Sequence, residues 1–213
     1  MLKVLELFHF KSFFNIFFFC AILGVIEATL KMLIQVDSKV VVAFSTTVQM
    51  NFILFLIFSK NVLSENALKI GLLNHLLTAS ILFFICDLVL IRFNSREFFF
   101  ISGLYSKLPI FSIFLLFSLI NQINFPGFLG FLLDVSFLYS SALSLTSSSF
   151  ILFFFLFVIE HLYILFFFLK ICFGVSVTSK RTLIFDLNFF EVVVFLYLFY
   201  FSIFFGIFPA ELS

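Results

Sequence analysis

Apolar and polar positions segregate along this chain by whole segments rather than residue by residue. Near-continuous apolar runs occupy 13–35, 41–59, 68–91, 108–144, 148–170 and 187–209, and most of the charges sit between them. Crossing a bilayer's hydrocarbon core takes about 20 apolar residues in a helix. The runs lack the period-two alternation of a half-buried strand, and lipid demands backbone groups satisfied within each segment. The pattern predicts an all-α polytopic membrane protein with about six transmembrane helices.

The fourth run is too long for one straight crossing. Asn121, Gln122 and Asn124 interrupt it just before Pro126-Gly127, after which it becomes apolar again. Proline removes a helical hydrogen bond and collides with the preceding turn. A discontinuous helix is therefore expected near Pro126, with halves of about 108–124 and 128–144 and a hinge at Pro126 and Gly127. The rest divides into a short interfacial segment at 1–12, a transmembrane domain at 13–209 and a tail at 210–213. Residues 1–12 mix Lys3, Glu6, His9 and Lys11 with bulky apolar residues, as in a helix lying on a membrane surface; a frayed leader to the first span reads as well. No repeat and no domain linker is visible. The first apolar run shows no small-residue cleavage site of a signal peptide.

Composition narrows the class further. Of 213 residues, 64% are hydrophobic, 42 are Phe and 11% are charged, too apolar for a soluble domain of this length. The net charge of +1 points to no nucleic-acid partner. Cys20, Cys86 and Cys172 have neither metal-ligand nor disulfide-framework spacing, and no Cys cluster or Gly-rich nucleotide loop is present. Membrane lipids are the expected surroundings, and no metal or cofactor is expected to bind this chain.

Charge also orients the spans. With six crossings, the connections 31–40, 92–107 and 170–186 share one side and carry eight basic residues against three acidic ones. The opposite side, which holds both termini, has four against three. The positive-inside rule puts the first group in the cytoplasm or mitochondrial matrix, so both termini face outward.

Ionisable residues inside the spans are the candidates for chemistry. Inserting one at a helix centre costs roughly 2.5–3.5 kcal/mol, and such groups usually face a protein interior or a hydrated path. Five qualify: Glu27, His75, Asp134, Glu160 and His161. A His and an acid on neighbouring helices, beside a broken helix whose freed backbone groups hold water, suit a proton path. Plainer roles stand beside this one. His75 can cross-link two helices by hydrogen bonding, and Asp134 can be structural. Glu27 and Lys31 form an i,i+4 pair suited to an ion pair at the membrane edge. Glu160 and His161 point about 100° apart, which argues that they do not line one narrow path and that at least one meets another subunit. Asp87, close to Arg92, reads as interfacial.

Several short patterns resemble the antiporter-like (Mrp-type) proton-translocating subunits, in particular the carboxyl-terminal half of subunit 4 of respiratory complex I. Gln35-Val36-Asp37-Ser38-Lys39 with Val42-Ala43-Phe44-Ser45-Thr46 is similar to Q-x-D-x-K…I-A-Y-S-S. Asn74-His75 with Thr78-Ala79 resembles S/A-H-G-x-x-S/A-A. Arg92 and Arg96 follow D/E-R-x-x-T-R, and Ser102-Gly103-Leu104 follows G-G-L. Pro126-Gly127 with Phe131 to Asp134 is similar to P-G-x-x-x-F-x-G-E. Asp186-Leu187-Asn188, Glu191 and Gly206-Ile207-Phe208-Pro209 resemble D-L-N-x-x-E…G-I-Y-P. In this order they cover about 31–209.

The resemblance implies that the six spans are helices 9–14 of a fourteen-helix fold. It implies proton transfer through His75 on the central axis, Asp134 as the outer acid and Lys39 near the matrix side; Glu160, His161 and Glu27 stand beside these as accessory candidates from the residues alone. It implies a membrane-arm subunit of NADH:ubiquinone oxidoreductase in the mitochondrial inner membrane, encoded in the organelle, with NADH, FMN, iron–sulfur clusters and quinone held by other subunits. It further implies a separate chain carrying the missing first eight helices. Departures are Leu133 for the usual Gly, Lys170 for Arg and Gln49 for His. Ala79 and Asp134 stand where subunit 5 has lysines, which favours subunit 4 over subunit 5 or a free-standing antiporter. A non-conducting scaffold of the membrane arm is the alternative from another class.

Overall fold

A computed structural model describes residues 11–58, 62–97, 101–144, 147–174 and 185–208. The helices are α1 (Lys11–Ile34), α2 (Ser38–Phe58), α3 (Val62–Phe93), α4 (Leu104–Lys107), α5 (Pro109–Gln122), α6 (Leu129–Ser144), α7 (Ser147–Phe173) and α8 (Phe189–Ile207). Among the described residues there is no strand, only an isolated bridge between Asp37 and Glu97. Among the described residues five helices are long and apolar enough to cross a membrane, and α5 and α6 are the shorter pieces of the broken crossing. Residues 1–10 and 209–213, including most of the expected interfacial segment and the tail, lie outside the described residues.

The break is built differently from its sequence expectation. The chain leaves the helix before Pro126, at Asn124, whose φ of 56° is left-handed. Asn124 N–H donates to Asn121 C=O (3.1 Å) and Phe125 N–H to Ile120 C=O (3.1 Å). This pair of bonds is a Schellman cap, in which a residue tolerant of positive φ ends the helix and proline follows within a few positions. Asn124 is the stop, and Pro126 only prevents resumption. Gly127, at φ 103°, then turns the chain into α6. A Cβ on Gly206 of α8 would lie 2.5 Å from Gly127 C=O, so the Gly206-Ile207-Phe208 stretch crosses directly over the break.

One end of the bundle is tied by polar contacts. Ser38 N–H donates to Arg96 C=O (3.0 Å) and Gly103 N–H to Ile171 C=O (2.9 Å), so the 35–38, 94–97 and 101–103 connections converge there. Asp186 accepts from the N–H groups of Ile110 (2.9 Å) and Phe111 (3.0 Å), capping α5 from a distant segment. Asn188 and Glu191 form the capping box of α8. The same Glu191 carboxylate pairs with the Arg92 guanidinium, which also donates to Phe185 C=O at 3.2 Å. The D-L-N-x-x-E pattern is thus a clasp joining the ends of α3, α5 and α8. Asp87, read as interfacial, is half-exposed and pairs with Lys39 at 2.9 Å, while Arg92 is engaged by Glu191.

Two apolar cores fill the bundle. Near the clasp lie Val42, Ile81, Ile85, Leu115, Phe167 and Phe195 among others. Toward the other end lie Val25, Val48, Phe55, Leu56, Phe137 and Phe153. A layer of polar side chains separates them.

Candidate functional site

The polar layer starts from Asn124. Its position at the helix stop aims the carboxamide into the bundle, where Nδ2 donates to Asp134 Oδ1 (2.8 Å) and Oδ1 accepts from Asn74 Nδ2 (3.2 Å). Gly130 makes this possible, since any Cβ there would collide with the Asn124 side chain. Next to Asn74, His75 Nδ1 lies 3.4 Å from Gln49 Oε1, which links α3 to α2. Gln49 in turn lines a cavity with Phe52, Asn124, Asp134, Glu160 and His161. The polar groups therefore form a ring: His75, Gln49, the cavity, Asp134, Asn124, Asn74.

The volume open to the centre of a water molecule is about 20 Å³. A polar site needs about 10–15 Å³ by that measure to hold one water. His161 Nε2 stands 3.7 Å from Asp134 Oδ2, too far for a direct hydrogen bond. Glu160, 1% exposed, has an Oε2 without a partner among the described residues. The buried amides of Asn121 and Gln122 are likewise unpartnered there.

Below the cavity the wall is aromatic. Phe52 and Phe137 touch one another and each touches Phe153 and Phe157, with Phe52–Phe137 centroids 4.7 Å apart and Phe137–Phe157 stacked at 5.6 Å. Leu133, standing where the resembling family carries Gly, fits because α3 presents Gly71 opposite it. A Cβ on Gly71 would meet Leu133 Cδ1 at 2.8 Å.

The structure thus gathers Asp134, Glu160 and His161 around one cavity, and reaches His75 through Gln49. This corrects the expectation that Glu160 and His161 diverge. Consecutive helical residues are 100° apart, but the cavity meets α7 between them, so one stands on each side of it. Lys39 lies elsewhere, at the start of α2 beside the clasp, paired with Asp87. Glu27 is exposed and paired with Lys31. Pro126 and Gly127 do not line the cavity and sit in the turn that follows Asn124. The residues that sequence reading underrated are Asn74 and Gln49. The signal for both was the same: an amide inside an apolar run.

Comparison with known proteins fixes the kinship. Residues 1–185 match the family described as NADH:quinone oxidoreductase/Mrp antiporter, transmembrane region. The chain belongs to this family. NADH-ubiquinone oxidoreductase chain 4 of Acanthamoeba castellanii is 33% identical over 92 residues, 43% of this chain and 18% of that protein. The chain 4 of Chondrus crispus is 31% identical over 102 residues, 47% of this chain and 21% of that protein. A chain of the archaeal membrane-bound sulfane sulfur reductase superposes with TM-score 0.81 at 21% identity, covering 94% of this chain and 40% of that one. A chain of respiratory complex I from Thermus thermophilus gives 0.74 at 18% identity, covering 95% and 42%. These likenesses show a shared antiporter-like fold. This family member spans less than half the length of the solved chains it resembles.

Proposed function

We propose that this antiporter-family chain is a proton-translocating membrane-arm subunit of a mitochondrial NADH:ubiquinone oxidoreductase, corresponding to the later helices of chain 4. It forms the output half of a path whose uptake half belongs to the remaining helices of the fold, whichever polypeptide carries them. NADH oxidation and quinone reduction take place on other subunits, which hold NADH, FMN, the iron–sulfur clusters and quinone. The clasp end faces the matrix, consistent with its basic excess, and the aromatic end faces the intermembrane space.

One observation carries this reading. A buried carboxyl, Asp134, sits just beyond a helix break, hydrogen-bonded by Asn124 and joined through Asn74 and Gln49 to the neighbourhood of His75. Among the described residues no Lys or Arg lines the cavity, and the one basic side chain there, His161, is itself a group that can take up and release a proton. A proton leaving His75 travels on water that Gln49 orients toward the cavity and reaches Asp134, then passes outward when the aromatic wall opens.

Asp134→Asn tests the assignment in the intact complex reconstituted into vesicles. The amide keeps the shape and the bond from Asn124 is replaceable by rotation, so the complex assembles and reduces quinone with fewer protons moved per electron. An unchanged proton-to-electron ratio would overturn it. The phenylalanine packing favours a second reading, a non-conducting scaffold, which predicts that unchanged ratio. Mass spectrometry of the chains that co-purify with this one tests the proposed assembly.

A further inference from the structure

Glu160 is the least accounted-for group in the molecule. It is 1% exposed near the midpoint of α7, and its Oε2 has no partner among the described residues. A buried polar atom left unpaired costs about 1–3 kcal/mol, more when charged, so its position calls for an occupant that it can bond. Glu160 opens onto the same cavity as Asp134 and His161.

The imidazole fixes which way protons can move. His161 Nδ1 lies 2.8 Å from Phe157 C=O, and a carbonyl only accepts, so Nδ1 carries the hydrogen. In the neutral ring, Nε2 is then a bare acceptor. It faces Asp134 Oδ2 at 3.7 Å across the cavity. The cavity is lined by Gln49, Asp134, Glu160 and His161, with His161 Nε2 and Glu160 Oε2 both unpartnered among the described residues, so a water in it would have polar side chains on several sides. From α2 only Gln49 offers a polar group to this space. From the α5–α6 turn it is Asn124, from α6 Asp134, and from α7 Glu160 and His161. Two carboxyls and one imidazole, without Lys or Arg, cannot all be ionised in so dry a place without leaving an unbalanced charge.

We propose that Glu160 and His161 are further proton-transfer residues, which with Asp134 share two protons around a water held in the cavity, so that the cluster stays neutral as a whole. The terminal group of the path is then a three-residue cluster rather than a single acid. Asp134 gives its proton to the water while the water passes one of its own to His161 Nε2 or to Glu160 Oε2. The number of protons is unchanged at each step, and an imidazolium formed at His161 lies against the carboxylate left at Asp134.

This inference rests on the proton-path reading and is tested separately from it. Infrared difference spectra of the purified complex, recorded in H2O and D2O, report each protonated carboxyl by its C=O stretch. Glu160→Gln should delete one carboxyl band, displace the Asp134 band and slow proton release at least about tenfold. Glu160→Asp should restore the coupling in part. A merely structural Glu160 predicts less assembled complex with an undisplaced Asp134 band, and that result would overturn the cluster. If Glu160→Gln does not assemble, His161→Gln breaks the bridge from its other side and carries the same two readouts. Normal pumping in Asp134→Asn would instead remove the earlier reading, while the band displacement would still decide whether the three groups share protons.

Discussion

The two ends of the bundle hold together by different physics. At the clasp, charge does the joining: Arg92 is 9% exposed on its side chain and meets Glu191, Asp186 caps α5, and backbone bonds tie neighbouring connections. At the other end the described core of α1, α2, α3, α6 and α7 is apolar, with interlocked Phe52, Phe55, Phe137 and Phe153. Hydrogen-bonded ion pairs are directional and lock one geometry. Aromatic packing is non-directional, and rings can re-pack while keeping water out. The contrast puts the fixed end on the proposed matrix side and the end able to open on the proposed outer side, with the polar layer between them.

Removing one partner of the clasp should have the largest effect. Arg92→Ala leaves Glu191 without its cation and frees three backbone carbonyls, those of Leu88, Phe185 and Asp186, a loss of about 3–5 kcal/mol by comparison with other half-broken buried pairs. Denaturant titration of the solubilised protein reads it. The variant Glu191→Gln, which keeps the capping geometry, should lose less. Equal losses would mean that the missing ion pair alone, and not the charge left uncompensated on Glu191, sets the cost.

Breaking the aromatic end should come next and should change function as well as stability. Phe137 is 2% exposed and touches Phe52, Phe55, Phe153 and Phe157. Phe137→Ala removes about 3 kcal/mol of packing, near the lower end for such truncations. It also extends the polar cavity into the terminal core. Vesicles holding this variant should leak protons without turnover, since a hydrophobic constriction blocks by excluding water. Tight vesicles would show that the phenylalanines are packing alone. Phe137→Leu, which keeps the wall, should remain tight.

Between the two ends, Asn124 does two jobs that substitution can separate. Asn124→Gly keeps the left-handed stop but loses the amide that bonds Asp134, at about 1.5–3 kcal/mol for a hydrogen bond to a charged acceptor and less for a neutral one. Asn124→Ala loses the amide and adds about 1 kcal/mol of backbone strain. The difference between the variants in denaturant titration isolates the strain. Identical stabilities would mean that the φ of 56° is not what ends α5.

The fold was legible in the sequence to within a few residues because lipid leaves so few solutions. Expected halves of 108–124 and 128–144 became Pro109–Gln122 and Leu129–Ser144. Proline was read as the cause of the break because it is the strongest local breaker, yet Asn124 acts first, through a cap visible only in backbone geometry. The candidate site was half legible. Asp134 stood out as an acid in an apolar run, as did Glu160 and His161, but which side chains share a cavity depends on where α2, α6 and α7 meet. No spacing along one helix encodes that meeting. The Gly130 and Gly71 contacts were hidden for the same reason: their meaning lies in Asn124 and Leu133, on the facing segment.

The smallest effect is expected where sequence and geometry agree most simply. Glu27 and Lys31 sit four apart on α1, both exposed, and form an ion pair on the outside of the bundle. The Lys31 ammonium beside it can be replaced by lipid headgroups or by the water at the membrane edge, so nothing inside the fold depends on the pair. Glu27→Gln should leave stability, assembly and proton movement unchanged within error, although Glu27 has the same side chain as Glu160. That null result sharpens the contrast between groups at the membrane edge and groups in the polar layer, because carboxyl identity is held constant and only position differs. A pumping defect in Glu27→Gln would break it, by placing a functional acid on the outer face of α1 where another subunit must then cover it.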